Sequence, residues 1–219
     1  MSVTLGYDNY AGLHDYLVLE GLAYRITPFR RTMGVMDTEK MYGNLMNRFH
    51  YGGVNRAGIY LDETNMRMSQ THRRMFTMLA QRLLMEGKKD KALAALRKSL
   101  EVLPPTTVPY EQEDYDLAEM WFAAGDTAQA SKVAKEVARQ NCQYLNWCNS
   151  LRGDGASAYQ RNCAKSMRAI YQTVSLLNDA GAPEFKHYDG EFRRLAGTYA
   201  GSLGLEMLQQ AAGQPAAQQ

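Results

Sequence analysis

Met78-Leu79-Ala80-Gln81-Arg82-Leu83-Leu84-Met85-Glu86-Gly87-Lys88-Lys89-Asp90-Lys91-Ala92 is the stretch on which the fold turns. Its Leu79, Ala80, Leu83, Gly87 and Ala92 return thirty-eight residues later as Leu117, Ala118, Trp121, Gly125 and Ala130. A pair of helices joined at a glycine cannot bury its apolar face alone, so a repeated phrase of this kind predicts stacked helical hairpins. The small residues mark where the two helices of each hairpin touch, Ala80 against Ala92 and Ala118 against Ala130. The glycines allow the left-handed turn between them.

The surrounding sequence extends both hairpins. Asp62 or Thr64 can cap a long helix whose apolar stripe, Met66, Met75, Met78, Leu79 and Leu83, runs to Gly87. Lys88 to Leu103 reads as its partner, ended by Pro104-Pro105. The second hairpin starts near Tyr110, breaks at Gly125-Asp126 and continues from Thr127 towards Trp147. After a Gly153-Asp154-Gly155 loop, a helix is expected from Ala158 to Ala180, closed by Gly181, and a last one from Asp189 to Gln210. Upstream, Tyr16 to Ile26 reads as extended with a break at Glu20-Gly21, and Asp37 caps a helix from Thr38 to about Phe49. Ser2-Val3-Thr4-Leu5 reads like the end of a strand.

Phe76, Leu79, Ala80, Leu83, Gly87, Ala92 and Pro104 together resemble the tetratricopeptide pattern. In the second copy Cys142 stands at the proline position, and a third hairpin around Leu177 and Gly181 carries Lys186 where alanine is expected. The expected fold class is mainly α: tetratricopeptide-like antiparallel hairpins stacked as an α-α superhelix, with a short irregular or extended N-terminal segment. That segment, 1–60, is expected to pack on a repeat domain at 61–212, and 213–219 to form a disordered tail.

Composition excludes several classes. Twenty-five Lys and Arg against 23 Asp and Glu give a formal charge of +2, too balanced for a nucleic-acid partner. The pairs Arg30-Arg31, Arg73-Arg74 and Arg193-Arg194 read as solvated or snorkelling side chains. No stretch approaches the roughly eighteen apolar residues of a membrane span, and Glu20 interrupts Tyr16 to Tyr24 as a signal-peptide core. Gly52-Gly53 and Gly58 lack the Lys-Ser/Thr ending of a phosphate loop, and Gly-x-Ser-x-Gly does not occur. No cofactor and no metal is expected, since Cys142, Cys148 and Cys163 do not have zinc spacing and none of the four histidines lies near them. Two of these three cysteines could form a disulfide in an oxidising compartment, or all three could be buried thiols.

Three blocks before the repeats carry a more specific likeness. They are Asp15-Tyr16-Leu17-Val18-Leu19-Glu20-Gly21-Leu22-Ala23-Tyr24-Arg25, Asp37-Thr38-Glu39-Lys40-Met41-Tyr42-x-Asn44-Leu45-Met46 and Gly58-Ile59-Tyr60-Leu61-Asp62-Glu63-Thr64-Asn65-x-Arg67. Together they resemble the C-terminal soluble, tetratricopeptide-like tail of a bacterial family of multispanning membrane proteins related to protein O-mannosyltransferases, over roughly residues 2–139. The resemblance implies attachment to a membrane only through a region preceding this chain, and a position on the extracytoplasmic, periplasmic face of the inner membrane. It also makes the disulfide more credible. Without it, a cytoplasmic location is expected.

Glu20, Arg25, Asp62, Glu63, Asn65 and Arg67 are the candidate ligand or partner site, the one dense charge group not obviously on a helix surface. A carboxylate pair could do acid/base work if burial raised one pKa. The plainer reading makes Asp62 an N-cap, Glu63 a partner of the positive helix end and Arg67 their neighbour one turn on. Tyr110, Trp121 and Trp147 are candidates to line a groove for a peptide or glycan, whereas the plainer reading of aromatics at three and four spacing beside Leu117 is the hairpin core. His50 and His72 could meet Asp62, and eight of the thirteen methionines fall between Met33 and Met78, as core filler or an adaptable surface. The resulting expectation is a non-enzymatic repeat domain that binds or positions a polypeptide or its own membrane domain. The alternatives are a sugar-binding or catalytic accessory module built on Glu20, Asp62, Glu63 and Arg67, and a free-standing adaptor. Nothing in the sequence speaks to oligomeric state.

Overall fold

A computed structural model of the chain describes residues 1–30, 35–151 and 159–199. Among them are strands β1 (Leu17–Leu19) and β2 (Tyr24–Ile26) and seven α-helices. These are α1 (Thr38–Gly43), α2 (Glu63–Met85), α3 (Lys89–Val102), α4 (Tyr115–Ala123), α5 (Thr127–Ser150), α6 (Gln160–Asp179) and α7 (Phe185–Tyr199). The chain is mainly helical and divides into two compact units, Met1–Pro109 and Tyr110–Gln219. The division falls inside the stretch expected as one repeat domain. No helix among the described residues is long and apolar enough to cross a membrane.

Both copies of the repeated phrase end their first helix in the same turn. Lys88 N–H donates to Leu83 O (2.8 Å) and Gly87 N–H to Leu84 O (3.0 Å); thirty-eight residues on, Asp126 N–H donates to Trp121 O (3.0 Å) and Gly125 N–H to Phe122 O (2.8 Å). This pair of bonds satisfies the last carbonyls of a helix and requires a residue with positive φ, here Gly87 at 73° and Gly125 at 85°. The same pair recurs a third time, from Ala182 to Leu177 and from Gly181 to Asn178, both 2.9 Å. The second helices match too: Ala92, Ala95, Leu96 and Ser99 are buried in α3, and Ala130, Val133, Ala134 and Val137 in α5.

In the first unit, Leu17, Val18 and Leu19 are buried and β1 pairs antiparallel with β2, Leu19 opposite Tyr24. Single bridges join Ser2 to Ala23 and Leu19 to Met36, so short pieces of chain flank the hairpin on both sides. Asp37 caps α1 through Lys40 N–H, as its position predicts. The helix expected to reach Phe49 stops at Gly43 instead and continues as a π-helical turn over Asn44–Arg48. The wider turn accompanies a completely buried Leu45 and an Asn44 amide that donates to Glu20 O (2.6 Å). Side chains then pin α1 to the α2–α3 hairpin: Thr38 Oγ1 donates to Glu86 (2.6 Å), and Glu39 pairs with Lys88 (2.8 Å) and Lys91 (2.9 Å). Tyr51 packs its ring on Phe76 and donates its hydroxyl to Leu45 O (2.7 Å).

Arg73 overturns its reading as a surface cation. Its side chain is completely buried, and its guanidinium donates to Pro109 O (2.9 Å), Leu103 O (3.0 Å) and Val108 O. Pro104-Pro105 ends α3, and the carbonyls exposed by that break need donors. The arginine fork supplies them from the neighbouring helix.

In the second unit α4 is short and α5 long. Cys142 replaces proline, so nothing stops α5 before Ser150. Packing of α5 on α6 is supplemented by α7, where Tyr199 OH donates to Leu145 O (2.9 Å) and Arg194 to Asn146 (2.7 Å). The final helix starts at Phe185, not Asp189. Pro183 delays it relative to the other two hairpins, so Tyr188 is the first buried residue and Lys186 points to solvent. The Gly153-Asp154-Gly155 loop, Ala158, the expected end at Gln210 and the tail 213–219 lie outside the described residues.

Candidate functional site

Glu20 and Gly21 form the turn between β1 and β2. Gly21 has φ 142°, and a Cβ there would lie 3.0 Å from the Phe49 ring, so the turn needs a glycine on both counts. This close approach orients Glu20 towards α1. Its carboxylate accepts from Arg25 Nε (2.5 Å) and from Lys40 Nζ (3.0 Å). Burial works against ionisation of Glu20, but the hydrogen bonds from Arg25 and Lys40 outweigh it and hold the carboxyl below the usual carboxylate range. A carboxylate so held is a counter-ion and a poor general acid.

Asp62 takes a different role. Its carboxylate accepts from Asn65 N–H (2.7 Å) and from the Asn65 side-chain amide (3.1 Å), which makes it the N-cap of α2. Thr64, the other capping candidate, sits inside the helix. Glu63 and Arg67 are exposed on the first turns and make no ion pair with each other or with Asp62 among the described residues. No hydrogen bond or ion pair there joins this cap to the Glu20, Arg25 and Lys40 group. Four of the six candidates therefore form two separate structural devices, Glu20 with Arg25 in a strand-turn ion cluster and Asp62 with Asn65 in a helix cap, and Glu63 and Arg67 join neither.

His72 does not meet Asp62: its Nδ1 lies 2.8 Å from Met68 O and its ring packs edge-on against Tyr51. Burial lowers its pKa against the opposing effect of the Met68 carbonyl. Among the described residues no group of three or more His, Cys, Asp or Glu side chains is placed to hold a metal ion.

The three aromatic candidates also separate. Trp121 is only 1% exposed, at the position equivalent to Leu83, so it is a core residue and not part of an open groove. Tyr110 is buried as well. Trp147 is 46% exposed near the end of α5, tilted against Tyr144 at 5.7 Å and edge-on to Tyr159 at 5.2 Å. Position alone could have shown this outward face, because the buried residues of that stretch are Asn141, Cys142, Leu145 and Cys148.

The cysteines are buried free thiols. Burial, with a smaller contribution from Glu191, pushes the Cys142 thiol up to about 11. The Cys163 thiol is also pushed up to about 11, by burial first and then by the neighbouring Cys148. Such thiols are poor nucleophiles at neutral pH.

Residues not singled out from sequence carry much of this arrangement: Lys40 on Glu20, Thr38 on Glu86, and Tyr144 and Tyr159 around Trp147. The tyrosines could have been found by noting that aromatic residues bracket both helix ends there. The ion partners lie twenty to fifty residues apart and leave no local pattern.

No protein-family model, curated protein or solved structure matches the chain.

Proposed function

We propose that this chain is a non-enzymatic helical-hairpin scaffold that binds or positions a polypeptide. The observation that carries the reading is the burial of the repeated phrase. Leu79, Ala80, Leu83 and Ala92, and likewise Leu117, Ala118, Trp121 and Ala130, are all within 1% of complete burial. Of the carboxylates that could have supplied acid/base chemistry, Glu20 is engaged in ion pairs and Asp62 in capping, and Glu63 stands exposed, without the burial such work requires. The exposed ring of Trp147, held by Tyr144 and Tyr159, supports a contact surface on α5, since rigid aromatics concentrate binding energy at small ordering cost.

The likeness of the three N-terminal blocks to the soluble tails of O-mannosyltransferase-related membrane proteins supports a more specific role. In that role the scaffold stands on the extracytoplasmic face and positions its own membrane domain or that domain's polypeptide substrate.

Selection of a displayed random-peptide library on the folded chain tests the reading. Enrichment of a peptide class that binds wild type and binds Trp147→Ala at least tenfold more weakly, with unchanged thermal unfolding of the variant, supports it. Failure to enrich any peptide class sinks it.

A further inference from the structure

Cys148 and Cys163 lie in facing ends of two packed helices. Cys148 is in the last turn of α5, which ends at Ser150, and Cys163 is in the first turn of α6, which begins at Gln160. Trp147, the residue before Cys148, lies edge-on to Tyr159, the residue before α6, with ring centroids 5.2 Å apart, so these two helix ends sit side by side, and Cys148 is near enough to raise the pKa of the Cys163 thiol. Both are buried, at 4% and 2% exposure.

Cys142 is excluded as a partner of Cys148. Six residues along one helix separate their Cα atoms by about 9 Å, more than the roughly 7 Å a disulfide spans. Cys142 sits instead beside Glu191 and Arg194 of α7.

We propose that Cys148 and Cys163 are a redox pair that closes to a disulfide between the end of α5 and the start of α6, with Cys142 remaining a thiol. The oxidant is a small-molecule disulfide of the glutathione type. Cys148 Sγ, as thiolate, attacks one glutathione sulfur, forming a mixed disulfide and expelling one glutathione thiolate. Cys163 Sγ then attacks Cys148 Sγ, forming the internal disulfide and expelling the second. The two protons leave the cysteines and end on the two reduced glutathiones, and the two electrons lost by the protein reduce the glutathione disulfide. Terminal helical turns open more readily than helix centres, which gives the oxidant its access to buried sulfur and, while the turn is open, frees Cys163 from the burial that makes it a poor nucleophile in the closed fold.

The full folded chain is incubated with oxidised glutathione, quenched in acid, alkylated under denaturing conditions and analysed by intact mass and peptide mapping. A parallel sample is oxidised in urea. The expected folded product has lost two hydrogen atoms, yields one cross-linked peptide pair containing Cys148 and Cys163, and carries one alkyl group, on Cys142. In urea the three possible pairings should appear together. Cys142→Ser should keep the internal bond, whereas Cys163→Ser should stop at a glutathione adduct on Cys148. Three alkylated cysteines in the folded sample, a cross-link involving Cys142, or the same mixture of pairings with and without urea would overturn the proposal. The wild-type peptide map decides the matter even if a variant fails to fold.

Discussion

The two copies of the repeated phrase differ in everything except the phrase. In the first, a helix of 23 residues is followed by one of 14; in the second, one of 9 by one of 24. Yet the turn bonds agree pair by pair, and the first four buried positions of the second helices coincide at a shift of thirty-eight. The phrase specifies a crossing and a turn. Helix length is set separately, by Pro104-Pro105 in one copy and by the lack of a proline at Cys142 in the other. The position just after the turn glycine shows the same division of labour. Asp126 caps α5 through Gln129 N–H (3.0 Å), while its counterpart Lys88 makes no cap and pairs with Glu39 and Glu86.

If the two cores are equivalent, emptying the matched large position should cost alike. Trp121→Ala is expected to destabilise the second unit by about 3–5 kcal/mol and Leu83→Ala the first by about 2–5 kcal/mol, measured by urea unfolding. Trp121→Phe sharpens the test. It deletes an indole N–H that has no hydrogen-bond partner among the described residues, so it should cost far less than alanine. A large effect at one position with none at the other would break the equivalence.

Restoring proline where the second copy lost it should be nearly as severe. Cys142→Pro is expected to cost about 3 kcal/mol or more and to lower helicity by circular dichroism. An unperturbed variant would mean that α5 does not need its continuity.

Acid should distinguish the units next. Burial lowers the pKa of His72, in α2 of the first unit, so the unfolded chain takes up a proton there before the folded one does. Stability from this source is present above pH 6.5 and lost as the pH falls below it. His72→Gln should flatten the first unit's melting temperature across that window. Glu39 responds at lower pH: Lys88 and Lys91 depress its pKa from 4.5 to about 2, so its contribution is full above 4.5 and gone below about 2. Thermal melts from pH 7.5 to 2 should show these two steps, and a first unit indifferent to pH between 7.5 and 5 would refute the His72 assignment.

The smallest expected effect is at the cap. Asp126→Ala should cost about 1 kcal/mol. Lys88→Asp supplies a cap to α3 but breaks two surface ion pairs, and is expected to change stability by less than about 1 kcal/mol in either direction. Both are read from denaturation midpoints.

What the sequence revealed follows from how local each determinant is. Gly87, Gly125, Asp37 and Asp62 act within four residues of themselves, so turn and caps were readable. The place of Trp121 was also readable, because its counterpart Leu83 already belonged to the core stripe; its aromatic character suggested a groove only when that correspondence was set aside. Arg73 was not readable, since its partners lie thirty to thirty-six residues away and Arg73-Arg74 looks like any solvated pair. Glu20 and Asp62 shared a charge-rich sequence but not a place in the fold. One is bound to a strand turn, the other to a helix start, and the turn glycines between them, Gly52, Gly53 and Gly58, show that the chain changes direction without showing which charges it brings together.

The buried fork of Arg73 also sets an order of events. Its acceptors exist as a cradle only after α3 has ended and residues 103–109 have folded back, so the guanidinium cannot shed its water until that return is made. A contact completed after the barrier leaves the folding rate untouched and shows itself in the rate of escape. Arg73→Met is therefore expected to steepen loss of the native state by tenfold or more in the unfolding limb of a stopped-flow experiment while refolding proceeds at nearly its original speed. On this view Arg73 is a latch: it does not guide the first unit to its shape, but determines how long that shape lasts.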